Sequence, residues 1–162
     1  MTATDFAVLI TKFLTEYLPL HQNCSKNTIS SYKDPLKLSI LFLRNHKRMN
    51  INKFKMRQID RELILEFIEW LKNRGNSPVT INHRLAGIKS FINFAQYESV
   101  ENLAYLQPVL SVKSLKTTTR QVDYLTEEQM NSLINFPSTD TFTGLRHRII
   151  MCLLYDTGAR VQ

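Results

Sequence analysis

Leu145-Arg146-His147-Arg148-Ile149-Ile150-Met151-Cys152-Leu153-Leu154-Tyr155-Asp156-Thr157-Gly158-Ala159-Arg160-Val161-Gln162 stands at the end of the 162-residue sequence. Ile149 to Tyr155 are apolar on every side of a helical wheel, which predicts a helix buried all round rather than a surface one. Such a helix needs neighbours on each flank, and the upstream elements have cores of their own to fill, so a further C-terminal portion is expected. Gly158 is placed to take the left-handed conformation that ends a helix, setting Arg160 just past a fixed corner. A guanidinium there can grip a phosphate bidentately and stays charged at any working pH. It can equally serve the dipole of the helix C-terminus, and spacing alone favours that second role.

Working back, Thr126-Glu127-Glu128-Gln129 reads as a capping box that opens a helix carrying Met130, Leu133 and Ile134 as far as Pro137. Between Ser99 and Asp123 the apolar rhythm fades, apart from a short helix around Asn102 to Gln107 before Pro108. This predicts a boundary: a domain over 1–107, a linker over 108–123 and a second unit over 124–162. Lys113, Lys116 and Arg120, spaced by Ser and Thr, suit an extended basic segment that tracks phosphates, or equally a solvated linker.

The first domain reads as four or five helices. Thr4 or Asp5 caps the first, with Phe6, Leu9, Ile10, Phe13, Leu14 and Tyr17 on one face and Pro19 as its end. Ser25 caps the second, whose inner stripe is Ile29, Tyr32, Leu36, Ile40 and Leu43; Pro35 inside it predicts a kink near Ser31 or two shorter helices. After a connection over 49–59, Asp60 caps a third helix with Leu63, Phe67, Trp70 and Leu71 inward and Gly75 as its stop. Glu62, Glu66 and Glu69 give that helix an acidic outer side that would repel phosphate, and so a predicted back to the bundle. Ser77 and Pro78 open the fourth, which buries Ile81, Leu85, Ile88, Ile92 and Ala95. Opposite them Ala86, Gly87 and Ser90 leave a bare patch bordered by Thr80, Asn82, His83, Arg84 and Lys89. A bare patch admits either a DNA strand or another helix.

Charge is uneven. Residues 1–99 carry 15 Lys+Arg against 8 Asp+Glu, a net +7, while residues 100–162 carry 6 against 6. A compact basic block suits a polyanion, nucleic acid ahead of an anionic membrane surface. The two cysteines, Cys24 and Cys152, form no metal-ligand spacing with His21, His46, His83 or His147, so neither metal nor cofactor is expected. The longest apolar run falls far short of the roughly 20 residues a membrane helix needs, and no leader opens the chain, so a cytoplasmic, nucleoid-associated bacterial protein with no membrane contact is expected.

Tyr155-Asp156-Thr157-Gly158-Ala159-Arg160-Val161-Gln162 resembles the segment that carries the first catalytic arginine of the tyrosine recombinases, the phage-integrase and Xer family. Ser25-Lys26-Asn27-Thr28-Ile29-Ser30-Ser31-Tyr32-Lys33 resembles the family's first DNA-facing helix, and Thr80-Ile81-Asn82-His83-Arg84-Leu85 its second; Val122-Asp123-Tyr124-Leu125-Thr126 is similar to the entry to the catalytic domain. The resemblance implies an all-α chain: a four- or five-helix SAM-like core-binding bundle, a linker, and the first helices of a truncated catalytic domain. It implies Arg160 as a phosphate-binding catalytic residue of the full-length enzyme. It also implies DNA contacts by Ser25, Lys26, Thr28, Tyr32, Lys33, Thr80, Asn82, His83, Arg84 and Lys89, to which the basic-linker reading adds Lys113, Lys116 and Arg120, with double-stranded DNA and other recombinase protomers as partners. The family's lysine, His-x-x-Arg pair, further His or Trp and nucleophilic tyrosine have no counterpart in these residues, so DNA binding without strand cleavage is expected of this chain. A non-catalytic DNA-binding regulator and a helical protein-interaction module are the alternative readings.

Overall fold

The structure is a computed structural model that describes residues 3–118 and 123–159; within them every regular element is helical and there is no strand. The chain forms two compact units that divide at Thr118 and Thr119.

In the first unit, α1 (Asp5–Lys12) is capped by Thr4, whose hydroxyl accepts from the Ala7 amide. It continues without a break as a wider π-helical stretch, Phe13–His21. Pro19 therefore does not end the helix: it lies inside the π-helical stretch, and chain reversal waits until Asn23, which takes a positive φ of 48°. α2 (Lys26–Leu41) is capped by Ser25 and passes unbroken through Pro35 before it widens into π-helical turns at Phe42–His46. Of the two outcomes expected at Pro35, two shorter helices do not form, and the ring is used for packing. Pro35 is buried, and its Cγ would lie 2.7 Å from a Cβ built on Gly87. Gly87 thus lacks a side chain because another helix lies against it, which settles that part of the bare patch in favour of helix contact.

The predicted connection over 49–59 also contributes to the core. Two 3-10 turns, Ile51–Lys53 and Met56–Gln58, bury Phe54, Met56 and Ile59, and the Asp5 carboxylate accepts from the Met56 amide at 3.2 Å. α3 (Arg61–Asn73) starts at Asp60, which accepts from the Leu63 amide at 2.7 Å, and stops at Gly75, whose φ of +74° is the left-handed corner. α4 (Pro78–Glu98) buries the expected Ile81, Leu85, Ile88, Ile92 and Ala95, and Phe91 and Phe94 as well. α5 (Val100–Leu110) runs past Pro108 instead of ending before it, since Val109 and then Val112 are needed in the core. Edge-on aromatic pairs lock the centre: Phe6–Phe54 at 5.0 Å, Phe13–Phe91 at 5.6 Å and Phe42–Phe67 at 5.4 Å.

The second unit holds α6 (Glu127–Asn135), opened by the Thr126–Gln129 capping box, and α7 (Phe142–Thr157), ended by Gly158 at φ 60°. α7 is not buried all round. Ile149, Ile150 and Leu153 are 51, 42 and 57% exposed, because α6 alone covers one flank through Met130, Leu133 and Ile134.

Two outcomes follow. Gly87→Ala raises intrinsic helix propensity by about 1 kcal/mol, yet its methyl meets a rigid ring, so urea denaturation should show a net loss of about 1–2 kcal/mol from overpacking. Adding Pro35→Ala should return most of that loss. In native-state hydrogen exchange, amides of α6 and α7 should exchange far faster than those of α4, since two helices with no buried residue among those described hold little against local opening.

Candidate nucleic-acid interface

An open groove runs between α2 and α4. From α2 it takes Asn27, Thr28, Ser31, Tyr32, Asp34 and Pro35, and from α4 Thr80, His83, Arg84, Ala86 and Gly87. Each set is one helical stripe, since positions three, four and seven apart share a face. Pro35 and Gly87 form the floor, so the glycine contact sets how closely the two walls approach.

The two helices enter the groove with the same N-terminal device. Ser25 Oγ accepts from the Thr28 amide at 3.2 Å and lies 3.0 Å from Thr28 Oγ1. Ser77 Oγ accepts from the Thr80 amide at 3.3 Å and lies 2.9 Å from Thr80 Oγ1. Both threonines line the groove, so each helix presents a hydroxyl there beside the partial positive charge of its first turn.

Arg84 is half-buried and does not swing freely. Its Nη1 donates to Asn76 Oδ1, and Asn76 Nδ2 in turn donates to the Leu71 carbonyl at 2.7 Å, at the corner where α3 ends. The guanidinium is therefore pre-aimed, which lowers the entropy lost on gripping an anion. Asp34 is the one carboxylate in the lining and opposes that grip.

The remaining predicted contacts divide. Lys26 and Lys33 are exposed on α2 outside the groove lining, while Tyr32 leans inward with its ring edge-on to Phe13 at 5.9 Å. Asn82 and Lys89 are occupied elsewhere. Asn82 Nδ2 donates to the Leu115 carbonyl at 2.9 Å, Asn82 Oδ1 accepts from the Leu115 amide at 2.8 Å, and Lys89 Nζ donates to the Val112 carbonyl. Lys113 and Lys116 are exposed on the segment those bonds hold. Arg120 and Arg160 lie outside the described residues. The sequence reading missed Asn27, Ser31 and Asp34 in the lining; helical spacing leads three on from Thr28 to Ser31, and from Ser31 four back to Asn27 and three on to Asp34. It also missed Asn76, for which no local signal exists because its partners are eight residues on and five back.

Among the described residues the ion pairs lie away from the groove. Lys12 pairs with Glu98, and that hydrogen-bonded carboxylate holds the Lys12 ammonium above its usual pKa. Lys47 meets Glu66 at 2.6 Å and Lys72 meets Glu69 at 3.1 Å. The acidic stripe of α3 is thus partly neutralised, and α3 contributes nothing to the groove. Among the described residues no group of three His, Cys, Asp or Glu is placed to hold a metal ion, and no helix is long and apolar enough to cross a membrane.

Residues 10–99 match the family model described as phage integrase, N-terminal SAM-like domain. The chain is 31% identical over 98% of its length to a Sinorhizobium fredii protein named integrase/recombinase y4rC, covering 48% of that protein. It is also 31% identical, over 88% of its length and 46% of the relative, to the tyrosine recombinase XerD of Halalkalibacterium halodurans. The chain therefore spans about half the length of the curated relatives it matches. No solved structure matches it. The matched segment holds α2, α3 and α4 entire, the groove between α2 and α4 included, and the chain belongs to the tyrosine recombinase (phage integrase) family.

Proposed function

We propose that the first unit is the DNA-binding portion of a site-specific recombinase, gripping duplex DNA along α2 and α4. The observation that carries this is the groove itself, where two hydroxyl-bearing helix N-termini, His83 and a pre-aimed Arg84 converge in the basic part of the chain. Those groups suit phosphate oxygens: hydroxyls and first-turn amides give directional hydrogen bonds, and the guanidinium gives a charge-assisted pair. Lys26 and Lys33 add positive charge along the same helix.

In the complete enzyme, this reading makes the second unit the start of a catalytic domain on the same duplex. A tyrosine would attack the scissile phosphate, form a 3′-phosphotyrosyl link and release a 5′-hydroxyl; the strand would then pass to a partner's 5′-hydroxyl. The bond energy is conserved in the link, so no nucleotide or metal is required. Arg160 would offset charge on the non-bridging oxygens as the phosphorane forms. Other protomers on adjacent half-sites are the protein partners. Tyr155, within α7, is structural in this scheme, and this chain binds without cutting.

Mobility shift on duplex oligonucleotides tests the first part. Affinity should fall steeply with salt, Arg84→Ala should weaken it by about tenfold, the worth of one charged hydrogen bond of about 1.4 kcal/mol, and Glu66→Lys should not weaken it. Salt-independent affinity, or none, would instead favour a protein-interaction module. For the second part, a chain that continues past Gln162 should cleave a cognate duplex, and Arg160→Ala in it should abolish cleavage while leaving binding near wild type.

A further inference from the structure

The segment after α5 is not free at its start. Asn82 presents its N–H and C=O side by side, and both are taken by the backbone of one residue, Leu115, at 2.9 and 2.8 Å. A planar amide used this way copies one rung of a sheet ladder, and the double pairing fixes which side-chain atom is oxygen. Two turns further along α4, Lys89 donates to the Val112 carbonyl. Seven helical residues rise about 10.5 Å, and three extended residues span about 10 Å. The match means that Val112–Leu115 lies along α4 in the opposite direction, pinned at both ends. Val112 is 2% exposed and Leu115 packs against the core, while Lys113, Ser114 and Lys116 face solvent.

Helical geometry says where this strap sits. At about 100° per residue, Asn82 and Lys89 emerge on the flank of α4 turned away from Thr80, Arg84 and Gly87. Between the flanks lies the outer ridge of exposed His83 and Ala86, which is also the rim of the groove, and Asn93. α4 thus carries the groove on one side and the strap on the other.

We propose that Asn82 and Lys89 are positioning residues, not DNA ligands: they dock the strap so that Lys113 and Lys116 stand beside the α4 ridge as a second phosphate-contacting edge. The docking is independent of DNA; the role of the lysines rests on the DNA-binding reading above. It also holds the chain after α5 as far as Leu115, well past Pro108.

Two measurements on the whole chain test it. Without DNA, the Leu115 amide should be protected from hydrogen exchange, and trypsin should cut after Lys113 and Lys116 slowly. Asn82→Ala and Leu115→Pro, which remove the same pairing from opposite sides, should each speed that cutting by about tenfold or more, as expected when local opening becomes cheap. With duplex DNA, Lys113→Ala with Lys116→Ala should weaken binding and lower the salt slope by about 2, one per lost phosphate contact. That loss should shrink in an Asn82→Ala background, whereas the Arg84→Ala loss should be the same in both backgrounds. An unprotected Leu115 amide, or cutting unchanged by both variants, overturns the strap. A protected strap whose lysines leave affinity untouched while Arg84→Ala lowers it overturns their contact role alone. Indifference of binding to all three cations overturns the DNA reading itself and the contact role with it.

Discussion

A proline ring set against a glycine with no side chain fixes how near the two helices that wall the groove can come. Gly87 and Pro35 let α2 and α4 come together nearer than two ordinary helix faces would, and they are also the floor of the groove. The same two residues cost helix stability when judged locally: glycine wastes backbone entropy and proline forfeits a hydrogen bond. Their pairing recovers that cost through contact and fixes the spacing at which Thr28, Tyr32, Thr80 and Arg84 face one another.

α4 organises the unit by dividing its circumference. One face buries Ile81, Leu85, Ile88 and Ile92, a second forms the groove wall, and a third holds the chain that leaves α5. A helix of 21 residues is long enough for each face to repeat several times, so each task gets more than one point of attachment. The consequence for function is pre-organisation. Arg84 is tethered through Asn76 to the end of α3, and the strap lysines through Asn82 and Lys89, so under the proposed DNA-binding reading neither set has to be ordered by the duplex.

The second unit follows a different physical logic. α6 and α7 are well capped and correctly patterned, and local signals therefore define them, but two helices cannot enclose Ile149, Ile150 and Leu153. Local sequence is enough to start and stop a helix; burial requires partners on every flank.

Sequence alone determined the caps, the stops and the core stripes, because each is a contact within one turn or a period along one helix. Ser25, Asp60, Ser77, Thr126, Gly75 and Gly158 all act as read. The family was also legible, in the order and spacing of short stretches that are each degenerate. What sequence missed were matters of what lies opposite. Pro19 and Pro108 looked like helix ends and Pro35 like a kink or a division, yet all three sit inside helical segments because the core rewards continuation. For Asn82 and Lys89, read as candidate nucleic-acid contacts, only the folded chain shows the bonds to Leu115 and Val112, 33 and 23 residues away. A polar side chain on an exposed helix reads the same in sequence whether it meets phosphate, water or a returning backbone; tertiary structure decides, because only it supplies the partner.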